Sequence, residues 1–212
     1  MVREFIDFVN QQVGVYMDAL AGFEGHHTRV ERQVHRVNRP TNVTTNAKGE
    51  RVVVWASYED PSKPDIIHNR IVRADDYLAA NAKGGSNEQQ HAKGIVIFLF
   101  TYWEDEIRPR LAASREVSIQ EIRSDAMGDL RIVRNVILHA KGVMREDKYK
   151  DLKVMKDLFA VDQPIQLSYE SMHRIFVLIK QDCLRLLNVP PGGPDPGEIV
   201  DLAIQRINRG GV

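Results

Sequence analysis

From Phe5 onward, apolar side chains recur in alternating steps of four and three: Phe5, Val9, Val13, Tyr16, Leu20 and Phe23, then Val30, Val34 and Val37. His27 occupies the place where the series skips. Steps of that size stack on one face of a helix, so the spacing predicts a long first helix that ends before Pro40. Gly14, Gly22 and Gly25 weaken it, and a break over 22–25 is the alternative. The rhythm is close to seven residues, which predicts packing against other helices, between subunits among the options.

Over residues 38–64 the helical period is lost. Asn46-Ala47-Lys48-Gly49 reads as a turn, and Arg51-Val52-Val53-Val54-Trp55-Ala56-Ser57-Tyr58 is rich in β-branched and aromatic residues, which predicts a strand. Residues 43–45 are its expected hairpin partner, and Pro61 and Pro64 end the excursion. Residues 66–73 read as a further strand or a helix start, and 75–82 as a short helix before Lys83-Gly84-Gly85.

Helical spacing then returns. Ser86 is a candidate N-cap, with Glu88 and Gln89 in the first turn. The run Ile95-Val96-Ile97-Phe98-Leu99-Phe100, followed by Tyr102, Trp103 and Ile107, is apolar on more than one side and predicts burial on two sides. Pro109 should kink or end this helix near Arg108. After a loop over 115–118, Ile119, Ile122, Ala126, Leu130, Val133, Ile137 and Ala140 make the stripe of another helix, stopped by Gly142. A short helix is expected over 151–159. Ser168 then begins a last bundle helix, striped by Met172, Ile175, Phe176, Ile179, Cys183, Leu186 and Leu187. Pro190-Pro191-Gly192-Gly193-Pro194 is a hard stop, and 198–207 is a weakly amphipathic tail. The pattern predicts a mainly α chain: one helical-bundle domain over 1–212, with a small β-containing insertion at about 38–85.

Composition narrows the chemistry. At 212 residues the chain can bury a real core, and its 29 basic and 29 acidic side chains cancel, so no global field draws in nucleic acid. Any RNA contact must use a local patch. The single cysteine, Cys183, has no partner for an internal disulfide and lies on an apolar stripe, which suggests a reducing compartment and an inert thiol. His26, His27 and His35 lack a cysteine or acidic cluster to complete a metal site. No basic-then-apolar leader and no membrane-length apolar stretch is seen, so a cytoplasmic location is expected.

One segment breaks the bundle's rules. In Asp129-Leu130-Arg131-Ile132-Val133-Arg134-Asn135-Val136-Ile137-Leu138-His139-Ala140-Lys141-Gly142, three polar groups sit where a bundle prefers leucine. Asn135 and His139 fall one helical turn apart, opposite the apolar stripe, with Arg131 a turn before them. Arg134 lies roughly 140° round from His139, so its side chain must bend across, or its partner must come from a second copy. Val136 and Leu138 flank the polar face, which points to a partner subunit there. Imidazole can take the proton from a ribose 2′-hydroxyl or protonate the leaving oxygen. A guanidinium fork matches phosphate oxygens and the charge that develops on them. The chemistry permitted is metal-free phosphodiester cleavage, with no cofactor. Glu104 or Asp105 is a candidate to orient His139 or Arg134, although a charged turn of this kind is by default simply solvated. Lys141, Arg145 and Lys148, with Lys150, are candidates to grip RNA phosphates.

Arg134-Asn135-Val136-Ile137-Leu138-His139 resembles the Arg-polar-three-residues-His signature of the HEPN superfamily, the higher eukaryote and prokaryote nucleotide-binding helical domains. The resemblance covers mainly residues 86–188. It implies a small helical bundle that pairs as a homodimer, with two motif copies lining one RNA-cleaving groove. It implies a metal-independent endoribonuclease of a prokaryotic defence or toxin–antitoxin system, with a cognate antitoxin or other defence protein as partner. It further implies that Arg134 and His139 are catalytic, with Asn135 as the supporting polar residue. The balanced net charge favours an alternative, a non-catalytic helical module that binds a nucleotide or another protein.

Overall fold

Helix α1, Val2–Val34, runs unbroken through Gly14, Gly22 and Gly25. Each glycine costs up to about 1 kcal/mol relative to alanine, but burial of Phe5, Val9, Tyr16 and Val30 on one face outweighs it. The computed structural model describes residues 1–34, 43–58 and 67–187, and gives the backbone alone at 55–58 and 67–70. The expected helix end before Pro40, the prolines at 61 and 64, the proline-rich stop at 190–194 and the tail over 198–207 lie outside the described residues, as does the Trp55 side chain. The described chain is mainly helical, with a small β-containing region, as the spacing predicts. Its contacts divide it into two units, Met1–Gly14 with Ala92–Val212, and Val15–His91.

In the second of these, strands β1 (Val43–Thr45), β2 (Arg51–Tyr58) and β3 (Ile67–Arg73) form an antiparallel sheet in that order. Val53 stands opposite Val43 on one side and Val72 on the other. The hairpin turn closes because Asn46 Oδ1 accepts the N–H groups of Lys48 and Glu50, and Gly49 takes the positive φ of 81°. Of the two readings of 66–73, the described part, Ile67–Arg73, adopts the strand. Helix α2, Ala74–Asn81, packs Ala74 and Tyr77 against Val30 and Val53 to make this unit's core. Tyr16 donates to the buried Glu88 carboxylate, which also accepts the Gly84 N–H at 2.6 Å.

Gly85 is required by space. A Cβ there would lie 2.5, 2.6 and 2.8 Å from the carbonyl oxygens of Ala79, Ala80 and Ala82. Gly85→Ala is therefore expected to cost about 2 kcal/mol through forced backbone movement. A urea midpoint equal to that of the parent chain would contradict this.

In the other unit, Ile95, Val96 and Leu99 of helix α3 (Ser86–Tyr102) are buried. The Phe5 ring meets Trp103 at 5.2 Å between centroids, and Phe8 meets Tyr102 at 4.1 Å. Glu4 binds both terminal nitrogens of Arg110, at 2.8 and 3.0 Å, and Arg110 holds the Glu4 carboxyl below its usual pKa. Pro109 does not end the helix. The chain widens into a π-helical turn over Trp103–Ile107, in which the Arg108 N–H reaches the Trp103 carbonyl, and continues as α4, Arg108–Arg115. The wider turn places Pro109, which has no N–H to give, in the first turn of the new helix.

Helix α5 is Asp125–His139, shorter at its start than the apolar spacing predicts. Ile119 is exposed in a 3₁₀ turn, Ile119–Glu121, and Ile122 is buried outside the helix. The Glu121 carboxylate accepts both the N–H and the hydroxyl of Ser118, and the Ser124 hydroxyl accepts the Met127 N–H at 3.1 Å, so the helix starts there. Asp182 accepts from the Ser124 hydroxyl at 2.7 Å and the Ala126 N–H at 2.9 Å, tying the last described helix to the start of α5. Helix α7, Tyr169–Leu186, is capped by Ser168 as expected and buries the predicted stripe from Met172 to Cys183. Burial pushes the Cys183 thiol up to about 12, a thiol with little nucleophilic character.

The helix expected over 151–159 does not form. The chain instead makes β4 (Val143–Met144), the short α6 (Glu146–Lys150), a 3₁₀ turn at Lys156–Leu158 and β5 (Gln163–Pro164), which pairs antiparallel with β4. On α5 the Asp129 carboxylate takes the N–H groups of Lys153, Val154 and Met155, and the last of these is a donor that such a helix would have paired with the Asp151 carbonyl.

Candidate functional site

The polar segment singled out from the sequence is the C-terminal half of α5. Its core-facing side chains are Ala126, Met127, Asp129, Leu130, Val133 and Val136. Val136, a neighbour of His139 at i, i+3, is buried, so this border of the polar face is closed against the core, and Ile137 is half-buried. Arg131, Asn135 and His139, spaced by four, are all exposed and share one face, and Leu138 beside His139 is 46% exposed. The Val136 carbonyl accepts the N–H groups of both Ala140 and Gly142, and Lys141 and Gly142 both take positive φ. This closes the helix one residue beyond the imidazole.

Arg134 is half-buried. Its Nη1 donates to Asn135 Oδ1 at 2.9 Å, so the guanidinium bends round the helix towards the face that carries Asn135 and His139. Its Nε–H is buried and has no partner among the described residues. A buried donor left unpaired costs roughly 1–3 kcal/mol, so this group is an anomaly in a structural role. An incoming oxyanion would relieve it.

The acidic candidates are placed differently. Glu104 is engaged by Arg108 at 2.7 Å, and Asp105 is exposed on the π turn. No contact of either with Arg134 or His139 is present among the described residues. Of the basic candidates, Lys141 is exposed at the helix end, Arg145 is the N-cap residue of α6, and Lys148 lies in α6 with its ammonium 3.3 Å from Asp147. His173 and Arg174, off the α7 stripe, are exposed.

Beside α5, a cleft of about 580 Å³ opens between its polar face, the end of α3 and the segment from Lys148 to Lys153. Four sequence candidates, Asn135, Arg131, Lys148 and Glu104, line it. Lys141, Arg145, Arg134 and His139 do not. Its size falls in the range of small-ligand sites. Two residues that shape it carry no signal in the spacing pattern. Arg123 precedes the helix cap, and Asp129 is 1% exposed, with both its oxygens satisfied by backbone N–H groups at 2.7–3.0 Å. Among the described residues no cluster of three or more His, Cys, Asp or Glu side chains is placed to hold a metal ion, and no helix is long and apolar enough to cross a membrane.

The chain gives no significant match to a protein-family model, to a characterised protein or to a solved structure.

Proposed function

We propose that the protein is a metal-independent endoribonuclease of the HEPN type, acting as a homodimer in which two α5 polar faces line one groove. The observation that carries this reading is the Arg134 guanidinium, drawn round the helix onto Asn135 with one N–H buried and unspent, next to the face that presents His139. The imidazole of one copy removes the proton from a ribose 2′-hydroxyl. The freed oxygen attacks phosphorus, the bond to O5′ breaks, and the second copy's imidazole protonates that oxygen. Arg134 meets the charge that builds on the phosphoryl oxygens. The exposed Leu138 beside His139 supplies apolar surface for the pairing of the two copies. A cellular setting in defence, with a cognate antitoxin or another defence protein as partner, follows from the motif resemblance.

The test is cleavage of single-stranded RNA by the purified full chain in excess chelator. The expected products carry 2′,3′-cyclic phosphate and 5′-hydroxyl ends. Cleavage that chelator abolishes, or products with 5′-phosphate ends, would sink the mechanism, and no cleavage of any RNA would sink the function.

A further inference from the structure

We infer that the cleft beside α5 is a phosphate subsite, formed by Arg123, Arg131 and Lys148, that holds a nucleotide flanking the bond to be cut. The inference rests on the endoribonuclease reading for its place in a reaction, but it stands on the charge balance of the cleft itself. Five cations and four carboxylates line the cavity. Arg108 is consumed by Glu104 at 2.7 Å and Lys153 by Asp125 at 2.5 Å, while the oxygens of Asp129 are taken by backbone N–H groups. What remains is Arg123, Arg131 and Lys148 against Asp151. Arg131 meets no carboxylate among the described residues; Arg123 gives a long 3.4 Å bond to the Gln120 carbonyl and lies near the exposed Glu121, and Lys148 pairs with the exposed Asp147 at 3.3 Å, contacts outside the cleft lining that water screens and an incoming phosphate can compete with. A surplus of positive charge in a concave, partly walled space attracts an anion more strongly than the same residues would on an open surface.

The rest of the lining narrows the anion. Asn135 offers the cleft an amide able to donate and accept, and Phe100 adds a half-buried aromatic ring to the opposite wall. An aromatic ring, an amide and a cation trio fit a nucleotide, whose base can stack and whose phosphate pairs with the guanidinium forks. Arg131, Asn135 and His139 follow one another at intervals of one turn, roughly 6 Å each. A strand held at Arg131 therefore runs along α5 towards the imidazole. Asn135 is then a strand-positioning residue between the subsite and the reacting phosphate. Arg131 and Lys148 act together from two walls, whereas Lys141 and Arg145 lie outside the cleft.

The experiment uses the full chain carrying His139→Ala, so that RNA is bound and not consumed. Affinity for a fluorescein-labelled 12-nucleotide single-stranded RNA is read by anisotropy across a salt series, with and without Arg131→Ala and Lys148→Ala together. Both side chains are exposed, and an unchanged melting temperature confirms that the variant is folded. The pair is expected to weaken binding about tenfold or more and to flatten the salt slope by about 1.4, the share of two phosphate contacts to a single strand. Arg131→Lys should restore part of the loss. A nucleoside 5′-monophosphate should compete with the RNA, and the matching nucleoside should compete far less. Unchanged affinity and slope in the double variant, or no binding of RNA by the parent protein, would overturn the subsite. If the His139-intact chain does not cut RNA but the double variant still loses affinity, the nuclease reading fails and the subsite stands. If that chain cuts RNA, the double variant keeps its affinity, and the same pair of substitutions placed in the His139-intact chain leaves KM unchanged, the subsite alone fails.

Discussion

His139→Ala is expected to lower RNA cleavage by about 10²–10⁴-fold, the usual contribution of a positioned proton-transfer group, without unfolding the protein. The imidazole is exposed in the last turn of α5 and makes no hydrogen bond or ion pair among the described residues, so its removal should move stability by no more than about 0.5 kcal/mol. A small loss is expected even so, because a cation at a helix C-terminus meets the carbonyl end of the dipole. The two readouts must therefore be taken together, initial cleavage rate in chelator and urea midpoint. Full cutting by the variant would remove His139 from the mechanism. A fall in stability of several kcal/mol, with no RNA cut by either protein, would favour the non-catalytic interaction module. The same logic applies to Arg134: Arg134→Lys keeps the charge but loses the planar fork and the second donor, so it should not restore the parent rate.

Much of the scaffold could be read from periodicity. The first helix, the β1–β2 hairpin with its Asn46 turn, and the Ser168-capped last helix each carry several agreeing signals over a short span, and each forms as expected within the described residues. The start of α5 misled because Ile119 and Ile122 fall in step with the helix by coincidence, while the Ser118–Glu121 and Ser124–Met127 bonds that set the true boundary are local polar choices. Of the two outcomes expected at Pro109, a kink or an end, the end does not occur: a breaker in an α-helix becomes tolerable when the preceding turn widens to i→i+5. For the site, one helix face was legible, namely Arg131, Asn135 and His139 at one-turn intervals. The bend of Arg134 across the helix was one of the two options its offset of roughly 140° left open, but two things were not legible: that the adjacent Asn135 would receive it, and that the chain near Lys148 would come back to wall a cleft. The second depends on bonds between residues 24 to 26 positions apart, which no local pattern encodes.

Those bonds give the largest stability effect expected in this protein. Asp129 is 1% exposed and accepts the Lys153 N–H at 2.9 and 3.0 Å, the Val154 N–H at 2.7 Å and the Met155 N–H at 2.8 Å. Three successive backbone donors converging on one carboxylate form a nest, in which the charge replaces the hydration it lost on burial. Asp129→Ala leaves those donors without an acceptor and opens a small cavity, and should cost about 4 kcal/mol. Asp129→Asn keeps one acceptor oxygen but turns an NH₂ towards a backbone N–H, and should cost about 2 kcal/mol. In both variants the amides of Lys153, Val154 and Met155 should exchange with solvent faster than the α5 amides, because the segment they anchor is released before the helix is. That segment carries the Lys148 wall of the cleft, so the Asn variant, still folded, should bind RNA less tightly even though residue 129 bears no charge on the phosphate path. An Asp129→Ala protein that unfolds at the parent's urea concentration would show that the nest contributes nothing, and the order of the cleft wall would need another cause.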